Sequence, residues 1–560
     1  MIMCMKKSII LSGLIIGVML MPSCASQLDI TPPNAITNEQ IEDLLKNGTD
    51  AQRELVMTSM VAPMVGYLNN LDRGNVGSGG AADVLNYSDQ GNEWRRSIQG
   101  NDVAMGWDRT SYDLAGRDYY WLAVDFTGPQ SATNKSYWFS KAYAINQANL
   151  VLNTFTQDAA KEGSAMVKDG RARALIVRAF SYMRLMEDYQ DAYLRGGKDK
   201  LGMSIYTKYD PAQTPAARST SEETYKFIKD DLNEAVSLLT AANVGYTGGR
   251  DKAEDIDLGV ANFLLARVSL WTGDWTTCIN ACNAIIGSKA YSFIAPGNWG
   301  GRNTGAWTPT SAIKVLPETN AFAALAVNPE CILGFKMGST NAGAGAIQTA
   351  LANIFGTYSS LNSPARIDDR LYNKIAENDC RKDAFYAPEI GDYGFAAATS
   401  RLPSYCNLKF AQTAGLNNDG VSNDGDNAHT ANAEFTRFRL AEVYLMKAEA
   451  ENAGGNANAA KTTLNALLKA RTKDGAATLT CDNYGGPSNF TEFIQLQWRI
   501  EMWGENGMEY YNNKRWGIDV NRSGSTVHPA TSATLSASKM TLELPQRELE
   551  DNPNTTPNGI

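Results

Sequence analysis

Apolar and small residues return at helical spacing through several long stretches of the chain, and few stretches alternate with the period of two that marks a half-buried strand. The spacing predicts helices over Ser136–Phe155, Met166–Tyr189, Ser221–Leu239, Leu258–Trp271, Thr276–Ile286, Glu434–Asn452, Ala457–Ala470 and Thr491–Trp503. Several ends carry their own signals. Ser221 sets a hydroxyl ahead of the first-turn acids Glu222 and Glu223, while Gly273 and the Gly454-Gly455 pair mark helix stops. The fold class expected is all-α.

Two helix pairs have the pattern of tetratricopeptide-like hairpins. In one, Ala261 and Ala266 to Trp271 lead through Gly273 into a second amphipathic helix, with Trp275 beside the turn. In the other, Leu440 to Ala450 runs into Gly454-Gly455-Asn456 and then Ala459, Leu464 and Leu467. Small residues let paired helices approach closely, and stacking such pairs buries one core. The pairs lie far more than one repeat apart, so large insertions must interrupt the array. Asn69–Thr133, Ala290–Ala365 and Ala384–Asn432 are rich in Gly, Asn, Ser and aromatics and lack sustained periodicity. Loops of that length are more often functional than decorative. Within the last of them, Asn417–His429 is oxygen-rich but does not fit the EF-hand register, so it reads as a solvated loop. No metal or cofactor is expected.

Composition narrows the function classes. With 20% charged and 43% hydrophobic residues over 560, the chain is globular. A net charge of -9 gives no footprint for nucleic acid, whose binding rests on clustered Lys and Arg. The two histidines, His429 and His528, build no HExxH, and there is no GxSxG elbow, P-loop or strand-linked GxGxxG. An enzyme is not expected. Cys278 and Cys282, four apart on one helix face, read as small buried residues, because a disulfide there would strain the helix.

The first 23 residues read as an address. Lys6 and Lys7 precede an apolar stretch from Ile9 to Met21, too short for a bilayer span of about 20 residues. Leu20-Met21-Pro22-Ser23-Cys24 resembles a bacterial lipobox, which implies lipidation at Cys24; the alternative is plain secretion with an incidental thiol.

Four further stretches, in order, resemble the SusD/RagB family of Bacteroidota outer-membrane lipoproteins. They are Leu28-Asp29-Ile30-Thr31-Pro32-Pro33; Arg173-Ala174 through Arg178, Tyr182 and Asp188-Tyr189; Arg499-Ile500-Glu501 with Glu505 and Arg515-Trp516-Gly517; and Leu544-Pro545 to Asn552-Pro553. Gln190, Glu509 and Asn512 stand where the family commonly has Gly, Arg and Asp. The resemblance implies a signal peptide over residues 1–23 and one SusD-like body over 24–560. That body has a hairpin-bearing part to about 290, an insertion-rich part over about 291–432 and a helical part over about 433–560. It also implies a lipid-anchored protein on the outer face of the outer membrane. Such a protein captures oligo- or polysaccharide, or in some branches peptide, for a TonB-dependent SusC-like transporter. A helical-repeat adaptor that only gates the transporter is a further alternative.

Saccharides offer apolar C–H faces beside hydroxyl edges, so flat rings among amides and acids suit them. Trp94 and Trp107 lie among Asn92, Arg95, Arg96, Asn101 and Asp102, and Trp299 and Trp307 among Gly, Asn298 and Asn303. These four tryptophans are the candidate glycan contacts; the competing reading is that they pin long loops to the body. Trp271, Trp275, Trp498, Trp503 and Trp516 fall in or beside helices and are assigned to packing.

Overall fold

A computed structural model describes residues 38–69, 89–104, 128–246, 254–301, 320–322, 325–336, 365–385, 405, 407–410, 434–528 and 534–558. Cys24, Trp107, Trp307 and the stretch 417–429 lie outside the described residues. The helices in chain order are α1 (Asn38–Asn47), α2 (Asp50–Val56), α3 (Asp89–Ile98), α4 (Ala132–Thr154), α5 (Gln157–Glu162), α6 (Ala165–Tyr189), α7 (Ser221–Ala241), α8 (Leu258–Thr272) and α9 (Trp275–Ser288). They continue with α10 (Asp369–Tyr372), α11 (Leu440–Ala453), α12 (Ala457–Ala470), α13 (Phe490–Glu501), α14 (Met508–Trp516) and α15 (Gln546–Asp551). After α2 the chain winds on as a π segment (Met57–Val61) and a 3-10 segment (Ala62–Leu68).

Side-chain caps explain where several of the helices start, although α6 and α11 begin without one. Thr220, one residue before the expected Ser221, caps α7 by accepting from the Glu223 amide, and Glu223 returns the bond to the Thr220 amide. Ser221 is instead buried. Asp257, Asp274 and Asn456 cap α8, α9 and α12 in the same manner. Gly273 ends α8 at φ +75°, the left-handed conformation that glycine adopts without a Cβ penalty.

The helices stack as neighbours. α6 packs between α4 and α7, α7 packs on α8, and α8 pairs with α9. α11 pairs with α12 and lies directly against α9. The two hairpins separated in sequence are thus adjacent in space. Cys278 and Cys282 sit fully buried and unbridged in this contact. No described helix is long and apolar enough to cross a membrane.

The structure departs from expectation at Glu434–Asn452, whose first six residues are not helix. Glu434–Arg439 is a strand, β4, paired antiparallel with β2 (Cys331–Lys336). A second short ladder joins β1 (Val103–Ala104) to β3 (Arg366–Ile367). The stretch Asn69–Thr133, read as aperiodic, contains α3 and β1.

Residues 541–558 return to the first half of the chain. The Leu542 amide donates to the Asp188 carbonyl, Asn134 Nδ2 donates to the Glu543 carbonyl, and Trp138 Nε1 donates to Glu548. Asn558 Nδ2 closes on the carbonyls of Tyr189 and Leu542.

Candidate functional site

The insertions leave the body at roots that the backbone ties to one another. The Gly301 amide donates to Leu408 O at 2.9 Å, and Leu408 N donates to Ala384 O at 2.7 Å. Asn407 N reaches Ala365 O, and Ile367 N reaches Tyr405 O. β1, the root of the stretch carrying Trp107, joins the same knot. It pairs with β3, and the carbonyl of Asp102 beside it accepts from both the Asp368 amide and Trp503 Nε1. Five segment ends far apart in sequence therefore meet on one part of the body.

Gly300 marks how close they come. Its φ is +78°, and a Cβ there would lie 3.0 Å from Ala384 Cβ and 3.1 Å from Lys409 Cα. Gly300→Ala combines backbone strain with a tight contact. It is expected to cost about 1–3 kcal/mol in urea unfolding.

Beneath the knot lies a charge network closed to water. Arg381, Lys409, Arg439 and Arg471 face Glu330, Asp379, Glu501 and Glu505, and all eight are buried. Glu501 is the hub: it accepts from Arg439 at 2.6 Å, Arg471 at 2.8 Å and Arg381 at 3.0 Å. Burial alone would raise the Glu501 carboxyl, but the three guanidiniums hold it well below the usual range. Lys409 donates to the carbonyls of Glu501 and Trp503, and burial pulls its ammonium down to about 8. A second set, Arg96 with Asp188 and Arg184 with Glu93, ties α3 to α6.

The sequence-predicted residues fall differently on this frame. Trp94 lies on α3, with its side chain outside the described set. Its polar companions Asn92, Arg95, Arg96, Asn101 and Asp102 are all buried, and Arg96 and Asp102 are spent on Asp188 and Arg499 rather than displayed. Trp299 is placed in the core at 0% exposure. Its indole N–H donates to Glu501, Phe322 meets its ring edge-on at 5.1 Å, and Lys409 lies 4.9 Å over it. A ring enclosed in this way has no open face for a sugar, so the expectation for Trp299 is corrected to a pin of the loop root. Trp271, Trp498 and Trp503 are buried packing residues, as assigned. His528, buried against the Asn101 carbonyl, is pushed down to about 3 by burial and by Arg522, so it is neutral and structural. Sequence reasoning missed the network itself. Its partners are separated by up to 141 residues, and Arg and Glu on a helix or strand read as solvated.

Comparison with known proteins adds the following. A model of the SusD family matches residues 303–557, and a model described as starch-binding associating with outer membrane matches residues 79–247. None of the curated proteins is matched by the sequence. Among solved structures, a SusD superfamily protein from Bacteroides thetaiotaomicron is similar with a TM-score of 0.64 at 19% identity, over 90% of this chain and 100% of that one. A SusD-like carbohydrate binding protein from Bacteroides vulgatus gives 0.60 at 20% identity, over 90% and 97%. Surface glycan-binding protein A from Bacteroides thetaiotaomicron, solved with laminarihexaose, gives 0.59 at 17% identity, over 91% and 100%.

Proposed function

The chain belongs to the SusD family, and on that premise we propose that it is a cell-surface lipoprotein that captures oligo- or polysaccharide and hands it unchanged to a TonB-dependent SusC-like transporter. The observation that carries the reading is the meeting of the insertion roots. Trp94, on α3, and Trp107 and Trp307, which lie outside the described residues, are the candidate sugar contacts. The laminarihexaose complex of a similarly folded protein supports a saccharide as the cargo. Acylation at Cys24 would hold the body on the membrane, since each buried methylene contributes about 0.8 kcal/mol.

The test is an affinity-gel and calorimetric screen of soluble protein starting at Ala25, against plant, fungal and host polysaccharides and a peptide digest. Binding to a polysaccharide is the expected result. Trp107→Ala and Trp307→Ala should then each weaken it by about 0.5–1.5 kcal/mol beyond lost area, with melting unchanged. Binding to peptides alone would replace the saccharide reading with peptide capture. Silence on both would leave a gating role.

A further inference from the structure

Helices α6, α8, α11, α13 and α14 converge on a cavity of about 10 Å3, the space that roughly one water occupies. Each helix sets a polar side chain in its wall: Glu187, Arg267, Glu442, Trp498 and Asn512 in that order. Two of these five bring a polar atom with nothing to bond to. Glu442 is 0% exposed, and neither of its carboxyl oxygens meets a donor from the protein. Among the described residues it is the one buried carboxyl with neither a hydrogen bond nor an ion pair. The indole N–H of Trp498, on a buried ring, has no acceptor. A buried donor or acceptor left in this state forfeits the hydrogen bond that it makes in water.

The charged neighbours are engaged elsewhere. Arg267 has Nε at 3.4 Å from Glu187 and Nη2 at 3.2 Å from the Met508 sulfur. Glu187 in turn accepts from Arg184 at 2.6 Å. Arg515, also on the wall, is turned to Glu449, with Nη2 at 2.7 Å.

Volume and charge together select the occupant. Arg267 and Arg515 on the wall repel a cation, and Glu187 and Glu442 repel an anion. An apolar atom would leave the carboxyl and the indole N–H unmet. What remains is one small neutral molecule able both to donate and to accept. We propose that the cavity binds a single water, which accepts from Trp498 Nε1 and donates to Glu442. Water suits either form of the acid, since it donates to a carboxylate and accepts from a protonated carboxyl. α11 packs on α13, and this water is the polar joint of that contact. The assignment goes beyond saccharide capture and does not depend on it.

The test is a crystal structure of soluble protein starting at Ala25, at a resolution that shows ordered water. One isolated density peak is expected at about 2.7–3.2 Å from both Trp498 Nε1 and a Glu442 oxygen. Glu442→Gln, which keeps an acceptor of the same shape, should retain the peak, and Glu442→Leu, which offers the cavity only methyl groups, should lose it. In solution, the number of long-lived internal waters counted by oxygen-17 relaxation dispersion should fall by one in the Leu variant and stay the same in the Gln variant. No peak in wild type, or a peak that touches neither group, would overturn the proposal. So would a peak or a count that survives in Glu442→Leu. Should that variant not fold, the wild-type map decides alone.

Discussion

Glu501→Gln is expected to lower unfolding stability by about 3–5 kcal/mol, the cost of leaving buried charges without their partner. Three guanidiniums and the Trp299 indole converge on this one carboxylate, and none of them reaches water. The amide keeps the shape but removes the charge. It also presents an N–H toward cations that have nothing to accept with. Since the Glu501 carboxylate accepts from the Trp299 indole, the loss should also loosen the insertion roots. Limited proteolysis should accordingly cut near residues 301 and 410 sooner in the variant. The sign of the pH dependence follows from the depressed carboxyl. Its contribution is full above the unfolded value near 4.5 and is lost as pH falls below it. Wild type should therefore destabilise steeply in acid, and the variant much less. Equal stability of the two proteins at pH 7 would refute the hub assignment.

Glu442→Gln should do the opposite and stabilise the protein above neutrality. Glu442 sits on α11 with 0% exposure, and neither carboxyl oxygen has a hydrogen-bond partner. It borders a cavity of about 10 Å3, room for roughly one water, beside Arg267 and Trp498. Burial pushes the carboxyl up to about 7, with Arg267 acting against the shift. A raised carboxyl favours folding at low pH, and that advantage fades between about 4.5 and 7, where the unfolded chain ionises and the folded one does not. The loss amounts to about 3 kcal/mol by pH 8. Gln does not titrate, so the variant should gain about 1–3 kcal/mol at pH 8 and little or nothing at pH 4. Glu509, raised to about 7 by burial and Asp102, titrates in the same direction and keeps part of the slope in both proteins. Denaturant midpoints measured across pH 4–9 decide the matter. A variant less stable than wild type at pH 8 would refute it.

The long helices of the array are legible in the sequence because apolar and small residues recur along them at helical spacing, and several are bounded by a local signal such as Gly273 or Asn456. β4 is not legible for a definite reason. Thr436, Arg437, Phe438 and Arg439 are all buried, so no alternation of polar and apolar residues survives. Its arginines are consumed by Glu93, Glu330, Glu501 and Glu505, partners that no local window contains. α14 hides in the same way, since Asn512, Asn513 and Lys514 are buried polar residues. Composition pointed to the tryptophans as one class. Trp299, with Gly and Asn around it, has the neighbours of an exposed loop, yet Glu501, some 200 residues on, makes it core.

The bonds that join residues 541–558 to α4 and α6 bear on how the chain comes to be folded. Asn134 and Trp138 take partners 409 and 410 positions further along. At synthesis rates of about 5–20 residues per second, those partners are made on the order of 20–80 s later. Closure between sequence-distant segments is also intrinsically slow. α4 and α6 must therefore spend that interval with part of their apolar surface uncovered. This part of the body can close only once residues 541–558 have been made.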